Sequence, residues 1–213
     1  LKEAFMRTVI CNCESSFEAD LPEAIDLEAE PRYLEEILSG SFFSVTCPSC
    51  GNLLKPELSV RISSDHLGLD VFVLPEIDRF SFLMGHSHVP SGAEVLIGYA
   101  ELVERARVIS DSLDPETVEI LKYYLRLKAE DANPDGSDIA IAYGGKSDSG
   151  TGEGKLLFHI SGLKKDEVAI LPVSLDYYGR ILAEKKKIMK GEPFPTVFKG
   201  PYRSIRVLES EAE

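Results

Sequence analysis

Phe42-Phe43-Ser44-Val45-Thr46-Cys47-Pro48-Ser49-Cys50-Gly51 reads as a strand that runs into a C-x-x-C turn. Such a turn brings both sulfurs to one side, and the small residues around it let backbone N–H groups approach the thiolates. Upstream, Cys11-Asn12-Cys13 supplies a second pair. In a straight strand, side chains two apart share a face but diverge too far to meet on one ion. This pair therefore needs a bend, and Asn12 is the residue type that tolerates a positive φ there. All four cysteines fall into these two pairs, with 33 residues between them and none left over. The alternatives are free thiols or disulfides. Disulfides belong to oxidising compartments, and nothing here marks the chain as secreted. The economy of the two pairs favours a closed four-cysteine site, with Cys11, Cys13, Cys47 and Cys50 as the ligands of one structural Zn2+. A catalytic zinc keeps a coordination position open, and four thiolates leave none.

Outward from these pairs, the pattern is short strands and one small helix. Phe5–Ile10 alternates into the first pair, and Phe17–Leu21 is a second strand candidate. Pro31 opens a helix through Leu34, Ile37 and Leu38 that Gly40 stops. Leu58–Ile62 and Leu67–Leu74 suit a hairpin around Ser63–His66. The polar, Pro- and Gly-broken segment Gly85–Gly92 is the best linker candidate. Beyond it, Leu102, Ala106, Ile109 and Leu113 recur at helical spacing, and Asp114-Pro115 caps a second helix carrying Val118, Leu121 and Leu125. Strands follow at Ile139–Tyr143, Leu156–Ile160 and Val168–Pro172, then a long helix from Leu175 to Met189. Thr196–Lys199 and Ser204–Leu208 are candidates to close the sheet, before an acidic tail, Glu209–Glu213. The predicted class is α+β: a β-rich, zinc-ribbon-like module over residues 1–90, then a mixed α+β domain over 91–213 with an αα-hairpin and an antiparallel sheet.

The run from Pro31 to Gly51 (Pro-Arg-Tyr-Leu-Glu-Glu-Ile-Leu-Ser-Gly-Ser-Phe-Phe-Ser-Val-Thr-Cys-Pro-Ser-Cys-Gly) resembles the CpXC family of bacterial and archaeal proteins. That family is named for two Cys-Pro-x-Cys motifs, with a short helix and a Gly–x–Phe/Leu–Phe strand leading into the second. The resemblance spans residues 5 to 80 and is most specific from Leu34 to Gly51. The second motif matches in full. The first, Cys11-Asn12-Cys13-Glu14, is one residue short, lacks the proline, and carries Glu where Gly is expected. The resemblance implies the metal and the module, and is silent on activity.

Charge narrows the partners. Residues 1–90 carry six Lys/Arg against fifteen Asp/Glu, a net −9, and residues 91–213 hold the remaining −4. Nucleic-acid affinity rests on Lys/Arg displacing counterions, so the acidic cysteine-bearing half argues against DNA or RNA as partner. No apolar run approaches the roughly 18 residues of a membrane span. No signal peptide is visible, which leaves the cytoplasm as the expected compartment.

Several motifs imitate chemistry. Gly144-Gly145-Lys146-Ser147 resembles the end of a phosphate-binding loop, but Ala140 stands where the first glycine belongs and a strand, not a helix, follows; a hairpin loop is expected. Asp148-Ser149-Gly150 echoes the aspartic-protease triplet without the apolar strand before it. His86 and His88 fit a polar linker, His66 a turn and His159 a strand, each without a nucleophile at recognisable spacing. Lys185, Lys186, Lys187 and Lys190 suit a solvated helix end that complements the helix dipole. The function these observations favour is a non-enzymatic, zinc-stabilised interaction or regulatory protein with an unidentified protein partner. One alternative is a redox-responsive zinc protein, since C-x-C followed by C-x-x-C is similar to the switch of redox-regulated holdase chaperones. Another is an enzyme whose site in the C-terminal domain escapes motif reading.

Overall fold

The structure, a computed structural model, describes residues 6–133, 139–147 and 154–211. Asp148-Ser149-Gly150 and the end of the acidic tail lie outside the described residues. The chain divides into two compact units, Leu1–Val103 and Glu104–Glu213.

In the first unit, β1 (Met6–Ile10) and β2 (Ser16–Asp20) pair antiparallel, and the turn between them holds the first cysteine pair. β3 (Ala24–Asp26) and α1 (Arg32–Ser39) follow. Gly40 ends α1 at φ +73, a left-handed position that glycine fills without steric cost. β4 (Val45–Thr46) and β5 (Leu53–Leu54) form a second small hairpin around Cys47–Cys50. The strand expected over Phe42–Thr46 shrinks to its last two residues. Neighbouring residues of a strand point to opposite faces, yet Phe42 and Phe43 are both buried and stack at 4.1 Å between centroids. A turn makes this possible: the Ser44 N–H donates to the Ser41 carbonyl at 3.0 Å, and Phe43 takes φ +52.

The core of this unit is a mixed sheet in the order β3-β6-β7-β8, completed by β6 (Val60–Ser64), β7 (Leu69–Leu74) and β8 (Glu94–Ile97). β6 and β7 form the expected antiparallel hairpin, while β3 joins β6 and β8 joins β7 in parallel. Val60, Ile62, Val71, Val73, Val95 and Ile97 are all but fully buried. Parallel neighbours need a long crossover, and that from β7 to β8 contains α2 (Arg79–Leu83) and the Gly85–Gly92 segment. The sequence pattern places the domain break at this segment. In the structure the division falls later, between Val103 and Glu104, inside α3 (Gly98–Ser110).

α3 is followed across a short turn by α4 (Pro115–Ala132), whose Lys122 reaches Glu104 at 3.0 Å. Asp114 caps α4, accepting the Thr117 N–H at 2.8 Å, and Pro115 occupies the first turn where no N–H is missed. The second unit is built on an antiparallel sheet in the order β11-β10-β9, from β9 (Ala140–Ser147), β10 (Lys155–Ser161) and β11 (Ala169–Ser174). Tyr143, Leu156 and Phe158 from the sheet, with Ile120 and Leu121 from α4, are the centre of its core. α5 (Leu175–Ile188) and α6 (Phe194–Val197) complete it. Thr196–Lys199 and Ser204–Leu208 do not close the sheet. The first belongs to α6 and the turn after it, the second to a 3-10 helix, Ile205–Glu211, and Phe194, Val197 and Ile205 are buried from these turns without strand pairing.

Gly144-Gly145-Lys146-Ser147 is not a loop but the end of β9, paired with β10 across a register shift. His159 lies against Gly144, where a Cβ would come within 2.6 Å of its Nε2. Lys185 is less solvated than its cluster suggests, reaching Asp114 at 2.8 Å and Glu116 at 3.0 Å and so tying α5 to the cap of α4.

Candidate metal centre

Two turns of similar design present the four sulfurs. In the first, the Cys11 carbonyl accepts the Glu14 N–H at 2.8 Å, and the Cys11 N–H donates to the Ser15 carbonyl at 2.9 Å. In the second, the Cys47 carbonyl accepts the Gly51 N–H at 3.0 Å, and the Cys47 N–H donates to the Asn52 carbonyl at 2.9 Å. The first turn is thus one residue shorter, as its missing proline position requires. Its left-handed residue is Glu14, at φ +67, and not Asn12, to which the sequence assigned the bend.

The two turns bring all four Sγ atoms within 4.8 Å of one another. Two approaches run between the turns, Cys11 to Cys50 at 3.6 Å and Cys13 to Cys47 at 3.8 Å. A tetrahedral ion with metal–sulfur bonds of about 2.3 Å sets its sulfurs about 3.8 Å apart, so the cluster has the size such an ion demands. Cys11 and Cys47 are buried, Cys13 and Cys50 exposed, and all four are free of disulfides. Among the described residues no histidine or carboxylate joins the group, so His66, His86, His88 and His159 lie apart from it.

Sequence reasoning missed Ser15. Its Oγ lies 3.1 Å from Cys47 Sγ and 3.2 Å from Cys13 Sγ, bridging the two turns. Nothing in its residue type distinguishes it from the neighbouring Ser16; only the folded turn does.

The electrostatics follow from this crowding. The Ser15 hydroxyl holds Cys47 down to about 6, aided by the Cys50 and Ser49 backbone, and likewise lowers Cys13. At Cys50 the Asn52 backbone pulls the other way, but the Cys13 sulfur, burial and the two remaining thiols outweigh it and push Cys50 up to about 12. At Cys11 the lowering by the Cys13 backbone is outweighed by burial and the Cys13 side chain, so Cys11 is raised. One thiol ionises easily and another resists: the Ser15 hydroxyl and the turn backbone favour the Cys47 thiolate, whereas the neighbouring thiols and burial disfavour that of Cys50. Full ionisation of the set requires a cation among the sulfurs, and a divalent ion supplies that charge.

The model of the family described as CpXC protein matches residues 9–122, more than half of the chain, and the chain belongs to that family. The match takes in both cysteine turns, the four-stranded sheet, α3 and the start of α4. The chain is also similar to an uncharacterised protein of Treponema pallidum (strain Nichols), at 26% identity over 97% of this chain and 100% of that protein. No solved structure matches.

Proposed function

We propose that this CpXC-family chain is a non-enzymatic protein stabilised by one structural Zn2+ on Cys11, Cys13, Cys47 and Cys50, and that it serves as a protein-interaction or regulatory module. The observation that carries the metal is the convergence of four sulfurs within 4.8 Å, with no other metal-ligating side chain among them in the described residues. Soft thiolates in a tetrahedral set select zinc over the harder cations, and four of them leave no open position for a substrate. Bound there, zinc would neutralise the thiolates and lock the two hairpin turns together; the chain supplies the turns and the Ser15 hydroxyl that hold the sulfurs in place.

The interaction role is supported by the surface beside the turns. Ile10, immediately before Cys11, and Leu53, just past Gly51, are large apolar side chains left exposed. The partner proposed is a protein, not a nucleic acid, since residues 1–90 carry a net −9. Among the described residues no helix is long and apolar enough to cross a membrane. The cytoplasm is the proposed compartment, because a thiolate centre persists where thiols stay reduced.

Elemental analysis of the purified protein tests the metal: about one zinc per chain is expected, lost in Cys47→Ser together with the structure of the first unit. Zinc binding in small modules is coupled to folding, at about 10–16 kcal/mol. Fully zinc-free protein with an unchanged melting curve would overturn the reading.

A second reading, a thiol switch, is favoured by the exposure of Cys13 and Cys50 and by the short cross-turn distances. With hydrogen peroxide as oxidant, each pair of thiols would form one disulfide while the peroxide is reduced to two waters, releasing the metal. Mass mapping of peroxide-treated protein would find Cys11–Cys50 and Cys13–Cys47 bonds; retention of zinc and four free thiols would end this reading.

A further inference from the structure

The second unit holds a groove that the metal centre does not account for. It runs where α4 and α5 meet the open edge of the sheet. Leu125 and Lys128 of α4, Leu171 and Val173 of β11, and Tyr177 and Arg180 of α5 line it, around a volume of about 430 Å3. That lies within the roughly 300–1,000 Å3 of ligand-binding clefts. Leu125 and Val173 are buried, so the floor is apolar, and Leu171 is half-exposed at the lip.

Charge at the rim is of one sign. Lys128 Nζ stands 5.9 Å and Arg180 Cζ 5.5 Å from the centre of the Tyr177 ring, which holds both cations over its face. No Asp or Glu lines the groove. Among the described residues neither cation has a carboxylate within ion-pair distance, whereas Lys122 and Arg126 on α4 and Lys185 on α5 are paired. In a chain of net charge −13 this is a place where positive charge faces outward over an apolar floor. The elements that build the groove also expose Leu127, Ile170, Leu175 and Leu182.

We propose that the groove docks an acidic, extended segment of a partner protein. An apolar side chain of the segment sits on Leu125, Leu171 and Val173, and flanking Asp or Glu carboxylates reach Lys128 and Arg180. Positive charge over an apolar floor matches such a segment, while the acidic faces of the chain repel it. Two cations are too few to track a nucleic-acid backbone. A second copy adding its own strand to β11 is disfavoured, because Pro172 stands in that edge strand with no N–H to donate. The groove uses none of the cysteines, so this inference stands independently of metal content.

The test uses the full chain and fluorescence anisotropy of a fluorescein-labelled peptide of alternating leucine and glutamate. Saturable binding is expected, weakening as salt is raised. Lys128→Glu combined with Arg180→Glu should weaken it about tenfold or more, and Leu171→Asp should weaken it separately. Lys128 and Arg180 are exposed, so an unchanged melting curve checks that the double variant is folded. Four outcomes would overturn the proposal: no saturable binding, equal binding of the peptide with lysine in place of glutamate, an affinity unaltered in the double variant, or loss in that variant of self-association or phosphatidylglycerol-vesicle binding instead.

Discussion

Glu14 and Gly51 occupy the same place in the two cysteine turns: each follows the second cysteine of its pair and donates its N–H to the carbonyl of the first, at 2.8 and 3.0 Å. Both are left-handed, at φ +67 and +75. Gly51 adopts this conformation freely, whereas Glu14 meets a Cβ–carbonyl clash costing roughly 1–2 kcal/mol. Glu14→Gly should therefore stabilise the zinc-loaded protein by up to about 1 kcal/mol, once the greater unfolded-state freedom of glycine is subtracted. Beyond its chain neighbours no atom lies within 4 Å of a Cβ built on Gly51, so Gly51→Ala should cost about 1 kcal/mol through backbone strain alone. Chemical denaturation of both variants checks this; two shifts of the same sign would show that the turns are not equivalent.

Ser15 is expected to tune the centre without ligating it. Ser15→Ala removes the hydroxyl that reaches both Cys13 and Cys47, and outer hydrogen bonds of this kind are worth about 10–100-fold in metal affinity. The same change should raise the Cys47 thiol from about 6 back toward its ordinary 9.0. For turns that stay folded without metal the sign is fixed. Cys47 is lowered on folding, so its contribution to stability is present above 9.0 and is lost as pH falls through about 6. Cys50 is raised, so its contribution is present below 9.0 and is lost as pH rises through about 12. A zinc-affinity titration by chelator competition in which Ser15→Ala binds the metal as tightly as the parent chain would refute the role assigned to Ser15.

The meeting of the cysteine pairs was legible in the sequence because metal ligands are sparse and their spacing is strict. So were α1, which starts after Pro31 and ends at Gly40, and α4, with its Asp114-Pro115 cap, because both carry local stop and start signals. β3 and β8 were not. They span three and four residues, too few for a period, and each is held by a parallel neighbour far along the chain. Non-local pairing leaves no local trace, so nothing in Gly85–Gly92 signals that the strand after it joins the sheet before it. Glu14 escaped for a different reason: glycine is the expected signal for a left-handed turn, and here hydrogen bonds of the folded turn impose that conformation on a residue type that disfavours it.

The division of the chain is tested by paired fragments. Cutting after Pro90 removes Val95, Leu96 and Ile97, all buried, from the edge of the four-stranded sheet. Each such side chain is worth about 1.5–3 kcal/mol of burial, against a whole-domain stability of about 5–15 kcal/mol. Residues 1–103 with zinc should unfold cooperatively, while residues 1–90 should melt without a sharp transition or fail to fold. Circular dichroism melts of the two decide it. Equal cooperativity would place the boundary at Gly85–Gly92 after all.

Lys122 is almost wholly buried between Glu119, at 2.7 Å, and Glu104, at 3.0 Å. Each carboxylate uses its other oxygen on the backbone: Glu104 accepts the Tyr143 N–H at 2.7 Å and Glu119 the Ile205 N–H at 2.9 Å. One lysine thus holds two acids that in turn hold β9 and the 3-10 helix. Burial alone would lower Lys122, but the two carboxylates outweigh it and keep the ammonium charged; burial raises Glu104 above its ordinary 4.5. Lys122→Met leaves two buried carboxylates facing each other and should cost about 3–5 kcal/mol. Adding Glu104→Gln and Glu119→Gln removes both charges yet keeps the carbonyl acceptors, so the triple variant should recover most of the loss. The single variant should also recover partly as pH is lowered, since a carboxylate raised on folding takes up its proton in the folded state first, and folding then gains as pH falls toward 4.5. Urea denaturation at neutral and mildly acidic pH measures both effects. A deficit of the same size at both pH values, or a triple variant no better than the single one, would show that Lys122 acts by filling space and not by its charge.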